Sequence, residues 1–173
     1  MQSPVPMHII SIQDERILAV NLAYEKWLGY RLEDFQNQDA WLKKVAPSAE
    51  QRQLMQQNWE EALQLAKKGN PVQFPEITLL AKDGSQRIAQ RTMSIVGNDV
   101  ILVWNDLTAI RETEQALQDS EQRFRIMVEH TVVGVYVLRD NRYIYVNPSY
   151  ANMLGWSAAA LIGHDILEFA DAT

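Results

Sequence analysis

Few side chains in this sequence have the type and spacing that chemistry needs. His8, His130 and His164 are scattered, and no two are placed as a metal pair on one element. There is no cysteine, which excludes disulfides, thiolate metal sites, a cysteine nucleophile and a cysteinyl adduct within the chain. Asp14, Asp39 and Asp83 sit at turns or helix starts, where capping explains a carboxylate without any proton transfer. The phosphate loop, H-E-x-x-H, G-x-S-x-G and the glycine-rich dinucleotide fingerprint do not occur. No catalytic residue, no metal site and no enzymatic activity are therefore expected within this chain.

Bulk composition narrows the partners. The 173 residues carry a net charge of −6, with 47% hydrophobic and 22% charged side chains. That is a globular composition, large enough to bury a real core. An acidic chain without a basic stripe is not built for a phosphate backbone, so no nucleic-acid partner is expected. The opening MQSPVPMHII lacks the basic and long apolar regions of a signal peptide. The longest apolar run, residues 131–138, is far short of the roughly 20 residues that span a bilayer. A cytoplasmic location without membrane contact is expected of this chain.

The elements that would hold any site come twice. VNLAYEKWLGY, residues 20–30, returns as VNPSYANMLGW, residues 146–156. Upstream, SIQDERILAVN aligns without gaps on VLRDNRYIYVN, so that Asp14 falls on Asp140 and Arg16 on Arg142. In each copy two β runs about a polar turn lead to an Asn that can cap a short helix, and a Gly closes that helix. Residues 31–45 then read as two short helical turns around Asp39. Ser48 and Gln51 predict a capping box for a long helix with an apolar stripe of Leu54, Met55, Trp59, Ala62, Leu63 and Ala66. Residues 72–81, 86–96 and 100–105 read as three strands, with Asp83-Gly84 and Gly97-Asn98-Asp99 at the turns. An α+β domain with a mostly antiparallel sheet follows. Its last strand is apolar at both parities, with Ile101 and Val103 as well as Val100, Leu102 and Trp104, so cover on both faces of the sheet is expected.

That strand leaves through Asp106, Leu107 and Thr108. Asp106 or Thr108 can cap the amides that open the next helix, and Asp106 can pair with Arg111 across its first turn. A cap is worth about 1 kcal/mol, enough to bias a two-state helix angle; a plain cap with no signalling role remains the alternative. In the helix itself Ile110, Leu117 and Phe124 recur every seven residues, Met127 continues one edge, and Thr113 and Ser120 fill the alternate heptad positions. A short coiled coil accounts for this seam. The bland alternative is a solvated linker helix, although a polar helix of this length needs some partner to be stable.

Taken together, these residues resemble the PAS family of sensory and interaction domains. The resemblance is carried by the twice-occurring Val-Asn-x-x-Tyr-x-x-x-Leu-Gly-aromatic stretch and by the Lys82-Asp83-Gly84-Ser85 turn. Asp106-Leu107-Thr108 followed by Arg111, and the segment EQALQDSEQRFR, which is similar to the linker of tandem PAS domains, complete it. It implies a PAS-like (profilin-like) five-stranded antiparallel sheet with helices on one face, followed by a linker helix. The implied domains are residues 7–108, a helical linker at 109–130, and the N-terminal part of a second PAS domain at 131–173. That second copy would lack its long helix and last three strands, leaving its first two strands mobile or paired elsewhere.

The resemblance also implies where a ligand would sit, between the inner sheet face and the long helix, lined by Trp41, Met55, Trp59, Leu63, Leu102 and Trp104. The alternative is that these large side chains fill the space and form core. Haem in the family is held by a histidine on the long helix, and residues 48–68 contain none; the light-sensing subfamily needs a cysteine, and the chain has none. No cofactor is the first expectation, and noncovalent flavin the one that stays compatible. The implied function is a sensory and dimerisation module of a bacterial signal-transduction protein, homodimeric through the linker helix and sheet face and open to a small-molecule ligand. It would relay a signal through Asp106, Thr108 and Arg111 to downstream domains such as a histidine kinase or a cyclic-dinucleotide enzyme. A cofactor-bearing redox or gas sensor and a ligand-free dimerisation module are the alternatives.

Overall fold

The apolar runs in MHIIS and ILAV build the first hairpin, β1 (Met7–Ser11) and β2 (Ile17–Val20), in the computed structural model of the chain, which describes residues 3–168. His8 and Ile10 face the core, while Met7 and Ile9 are half-buried on the opposite side. β1 pairs antiparallel with β6 (Asp99–Asp106), and β6 with β5 (Gln86–Val96). The predicted strand over residues 72–81 is two strands, β3 (Val72–Gln73) and β4 (Ile77–Leu80). Both pair with β5, Val72 opposite Met93 and Ile77 opposite Ala89, so they share one lane of a five-lane sheet. The interruption contains Pro75, which has no N–H to give to a ladder.

On the inner face lie α1 (Leu22–Leu28), a 3-10 turn (Leu32–Asp34), α2 (Gln38–Val45) and α3 (Ala49–Ala66). Ser48 Oγ accepts from the Gln51 amide at 3.1 Å, as an N-cap should. The other half of the predicted capping box is replaced, because the Gln51 side-chain amide donates to the Thr78 carbonyl and ties α3 to β4. Along α3, Met55, Trp59, Ala62 and Ala66 are buried, whereas Leu54, read as part of the stripe, is 54% exposed. On the outer face Ile9 lies opposite Ile101 and Met7 opposite Val103, all four half-buried.

The repeated Asn is a clamp as well as a cap. Asn21 Oδ1 accepts from the amides of Tyr24 (2.9 Å) and Met7 (3.0 Å), while its Nδ2 donates to the carbonyls of Val5 (2.8 Å) and Ser3 (3.3 Å). One buried side chain thus starts α1 and fixes the strand leading into β1. Gly29 then ends α1 at φ +75°, where a side chain would be strained and its Cβ would lie 3.1 Å from Lys82 Cβ.

The chain divides at residue 112 into two units, Met1–Glu112 and Thr113–Thr173. In the second, β7 (Tyr136–Arg139) and β8 (Arg142–Val146) form a hairpin followed by α5 (Pro148–Leu154) and α6 (Ala158–Leu161) around a small core of Tyr143, Val146, Ala151 and Leu161. Asn147 repeats the clamp: Oδ1 accepts from the Tyr150 and Val135 amides, and Nδ2 donates to the Val133 and Val128 carbonyls, all at 2.8–2.9 Å. Residues 169–173 of the expected second domain lie outside the described residues. α4 (Thr108–Glu129) runs for 22 residues, and none of them is buried.

Candidate functional site

Strand parity decides what meets on the inner sheet face. His8 on β1, Leu102 and Trp104 on β6, and Ala89, Arg91 and Met93 on β5 are all buried there, with Arg91 directly opposite Trp104 in the ladder. Trp104 is wholly buried at the centre, its ring 5.8 Å from His8, 5.6 Å from Trp27 and 5.8 Å from Trp41. Trp41 Nε1 in turn donates to the Tyr24 hydroxyl at 2.5 Å.

Of the six residues expected to line a ligand pocket, Trp41, Met55, Trp59, Leu102 and Trp104 belong to this one core cluster, each 6% exposed or less. Leu63 is partly buried at its edge. The openings beside them are clefts at the margins. One of 240 Å³ is lined by Gln38, Leu42, Trp59 and Glu60. Another, of 220 Å³, is lined by Ala62 and Leu65 of α3 with Val72, Phe74 and Pro75.

Two groups in the core stand out that the residue pattern did not single out. Trp104 Nε1 donates to His8 Nδ1 at 3.0 Å, so the proton of the neutral imidazole sits on Nε2, which has no partner among the described residues. Burial, reinforced by the charge of Arg91, pushes the His8 pKa down to about 3. Arg91 itself is 4% exposed, with its guanidinium 4.1 Å from the Phe74 ring centre and 5.4 Å from that of Trp104. Its Nε has no acceptor, and no carboxylate pairs with it among the described residues. Burial lowers its pKa to about 10, which leaves it charged at neutral pH. Ring faces return about 2 kcal/mol to a desolvated cation, against an effective penalty of several kcal/mol for burying the charge. The signal for Arg91 was present in the sequence, since it shares parity with Ala89 and Met93 on an otherwise alternating strand.

At the exit from the core, Asp106, Thr108 and Arg111 converge on one corner. Asp106 Oδ1 accepts from the Thr108 amide (2.9 Å) and hydroxyl (2.5 Å), and Thr108 Oγ1 accepts from the Ile88 amide at 3.0 Å. The Leu107 amide donates to the Ile88 carbonyl at 2.8 Å. Arg111 grips Glu76 with two nitrogens, Nε on Oε2 at 3.0 Å and Nη2 on Oε1. The Arg111 hydrogen bonds, helped by its charge, hold the Glu76 carboxyl below the usual range. Glu76, in the break between β3 and β4, had no local signal, because its partner is 35 positions away. The start of α4 is therefore fastened to β5 and to the β3–β4 break by side chains from three segments.

Ile110, Leu117 and Phe124 are not brought into contact with a core: they are 56%, 61% and 67% exposed along α4. Among the described residues no three His, Asp or Glu side chains are grouped as metal ligands, and no helix is long and apolar enough to cross a membrane.

Comparison with known families and structures finds the PAS fold over residues 17–104 and a PAS domain over residues 122–173. No curated protein matches in sequence. Among solved structures, a variant of RsLOV aligns at TM-score 0.51 and 14% identity, covering 61% of this chain and 62% of that one. The Rhodobacter sphaeroides LOV protein aligns at TM-score 0.48 and 13% identity, with coverage of 61% and 62%. The N-terminal domain of a diguanylate cyclase with PAS/PAC sensor from Marinobacter aquaeolei aligns at TM-score 0.49 and 12% identity, covering 62% of this chain and 98% of that one. At such identities the likeness is one of fold.

Proposed function

This chain belongs to the PAS family, and on that premise we propose that it is a sensory and dimerisation module of a multi-domain signal-transduction protein, acting in the cytoplasm. Residues 7–108 form the sensing domain, 109–130 the linker, and 131–173 part of the domain that follows. Repacking around Trp104 alters the end of β6, the Asp106–Thr108 clasp passes the change to α4, and α4 hands it on. The chain catalyses nothing itself; a histidine kinase or cyclic-dinucleotide output elsewhere in the protein would supply the chemistry.

The observation that carries this reading is the stripe on α4. A 22-residue helix with no buried residue keeps three large apolar side chains exposed at seven-residue spacing. Such a helix is marginal alone, and the spacing suits a second copy wound beside it. The half-buried Met7, Ile9, Ile101 and Val103 offer a second apolar patch for the same homodimer.

Replacing Leu117→Glu and Phe124→Glu together puts charges into the seam without touching either core. Light scattering is expected to show a dimer for the natural sequence and a monomer for the double variant at the same micromolar concentration. A double variant that dimerises as tightly as the natural sequence would remove α4 from the interface.

A further inference from the structure

Arg91 places on the inner sheet face a positive charge that no carboxylate among the described residues answers. One side of its cage is Phe74, 4.1 Å away. Phe74 also lines the 220 Å³ cleft between α3 and β3, so the ring that contacts the guanidinium is part of the cleft wall. The cleft has an apolar side of Ala62, Leu65, Val72 and Pro75 and a polar side of Asn58, Glu61 and Gln73. Its volume corresponds to about seven waters at roughly 30 Å³ each, the scale of a short aliphatic chain.

We propose that Arg91 and this cleft form a binding site for a small aliphatic monocarboxylate, reached when Phe74 turns aside, and that this acid is the sensed ligand. The carboxylate would take the paired N–H donors that guanidinium presents to a planar anion, and the hydrocarbon tail would occupy the cleft. A single cation calls for a single negative charge. Glu61, which also lines the cleft, and the net charge of −6 both count against phosphates and dicarboxylates. The site rests on the sensory role proposed above, and it adds the chemistry of what is sensed. Because Arg91 lies opposite Trp104, two residues before Asp106 on β6, ligand binding would act directly on the strand that leads to α4.

Hexanoate titrated calorimetrically into the full chain tests this, with hexanol as the uncharged control. One hexanoate is expected to bind per chain and to raise the melting temperature, with at least tenfold weaker binding of hexanol. Arg91→Met, which keeps an apolar side chain of similar length and removes the unanswered charge, is expected to fold and to lose hexanoate affinity at least tenfold. Ala62→Leu, which narrows the cleft and leaves Arg91 in place, is expected to weaken hexanoate binding as well. Equal binding of acid and alcohol, undiminished binding by folded Arg91→Met, or no saturable binding of hexanoate would each overturn the site. Light scattering on the same samples separates the two ideas. A dimer that dissociates with the Leu117→Glu, Phe124→Glu pair but ignores hexanoate would leave the α4 module standing without this ligand.

Discussion

Acidification from pH 7 to pH 4.5 is expected to destabilise the first unit by about 3 kcal/mol, through His8 alone. The imidazole is buried and neutral, with a folded pKa near 3 against an ordinary value of 6.5. The unfolded chain therefore binds a proton that the folded chain refuses. Stability is complete above about pH 6.5 and is lost progressively as pH falls towards 3, reaching on the order of 5 kcal/mol. The groups facing the ring strengthen the effect: Arg91 from β5 is a like charge, and Tyr24 from α1, its own pKa raised by burial, supplies no anion. The depressed carboxylates Asp14, Asp34, Glu76 and Asp83 begin to lose their contributions only as pH approaches their ordinary values of 3.8 to 4.5, so the greater part of the loss above pH 4.5 belongs to His8. Urea denaturation followed by tryptophan fluorescence at several pH values measures the slope. His8→Asn keeps an acceptor near Trp104 Nε1 and cannot titrate, so it should flatten the dependence. An unchanged slope in that variant would assign the acid sensitivity elsewhere.

Asn21→Ala is expected to cost about 3 kcal/mol. It removes four hydrogen bonds and strands the Met7 and Tyr24 amides beside the core, where each unsatisfied group costs about 1–3 kcal/mol. Asn21→Ser restores only the cap and should recover about 1 kcal/mol of that loss. Asn147→Ala should act on the second unit in the same way, because its Nδ2 ties the Val128 carbonyl of α4 to the start of α5. Hydrogen exchange is the suitable readout. Asn21→Ala is expected to speed exchange across β1, α1 and β6 while leaving β7 and β8 unchanged, and Asn147→Ala to do the reverse. A loss in either variant no larger than that of an exposed cap would contradict the clamp.

What sequence alone reveals depends on how local the determining forces are. The two Asn caps and the glycines that close α1 and α5 at positive φ were readable, because a cap needs only its own turn. So were the long strands and the seven-residue stripe on α4. The split between β3 and β4 was also written in the chain, as Pro75, but the apolar run around it masked the break. Less legible was which way a side chain leans when its neighbours are apolar too: Leu54 and Met55 are equivalent by composition, and only packing turns Met55 inward. Least legible were the tertiary pairs, Arg111 with Glu76 and His8 with Trp104, separated by 35 and 96 positions. The candidate pocket lay between these cases. The family resemblance implied that its residues line the inner face, but whether they enclose a space or fill it depends on side-chain volumes meeting in three dimensions.

On the proposed relay, the corner at Asp106 and Thr108 sets the position of α4. With no native cysteine, Gln118→Cys gives one spin label per chain on that helix. The dipolar distance across the proposed dimer can then be compared with and without Thr108→Val, which keeps the shape of the side chain and removes its bonds to Asp106 and the Ile88 amide. A relay through this corner predicts a shift of about 2 Å or more, the scale of helix displacements in signalling proteins, or a clear broadening, with the sensing domain still folded. Superimposable distance distributions from equally stable dimers would contradict it.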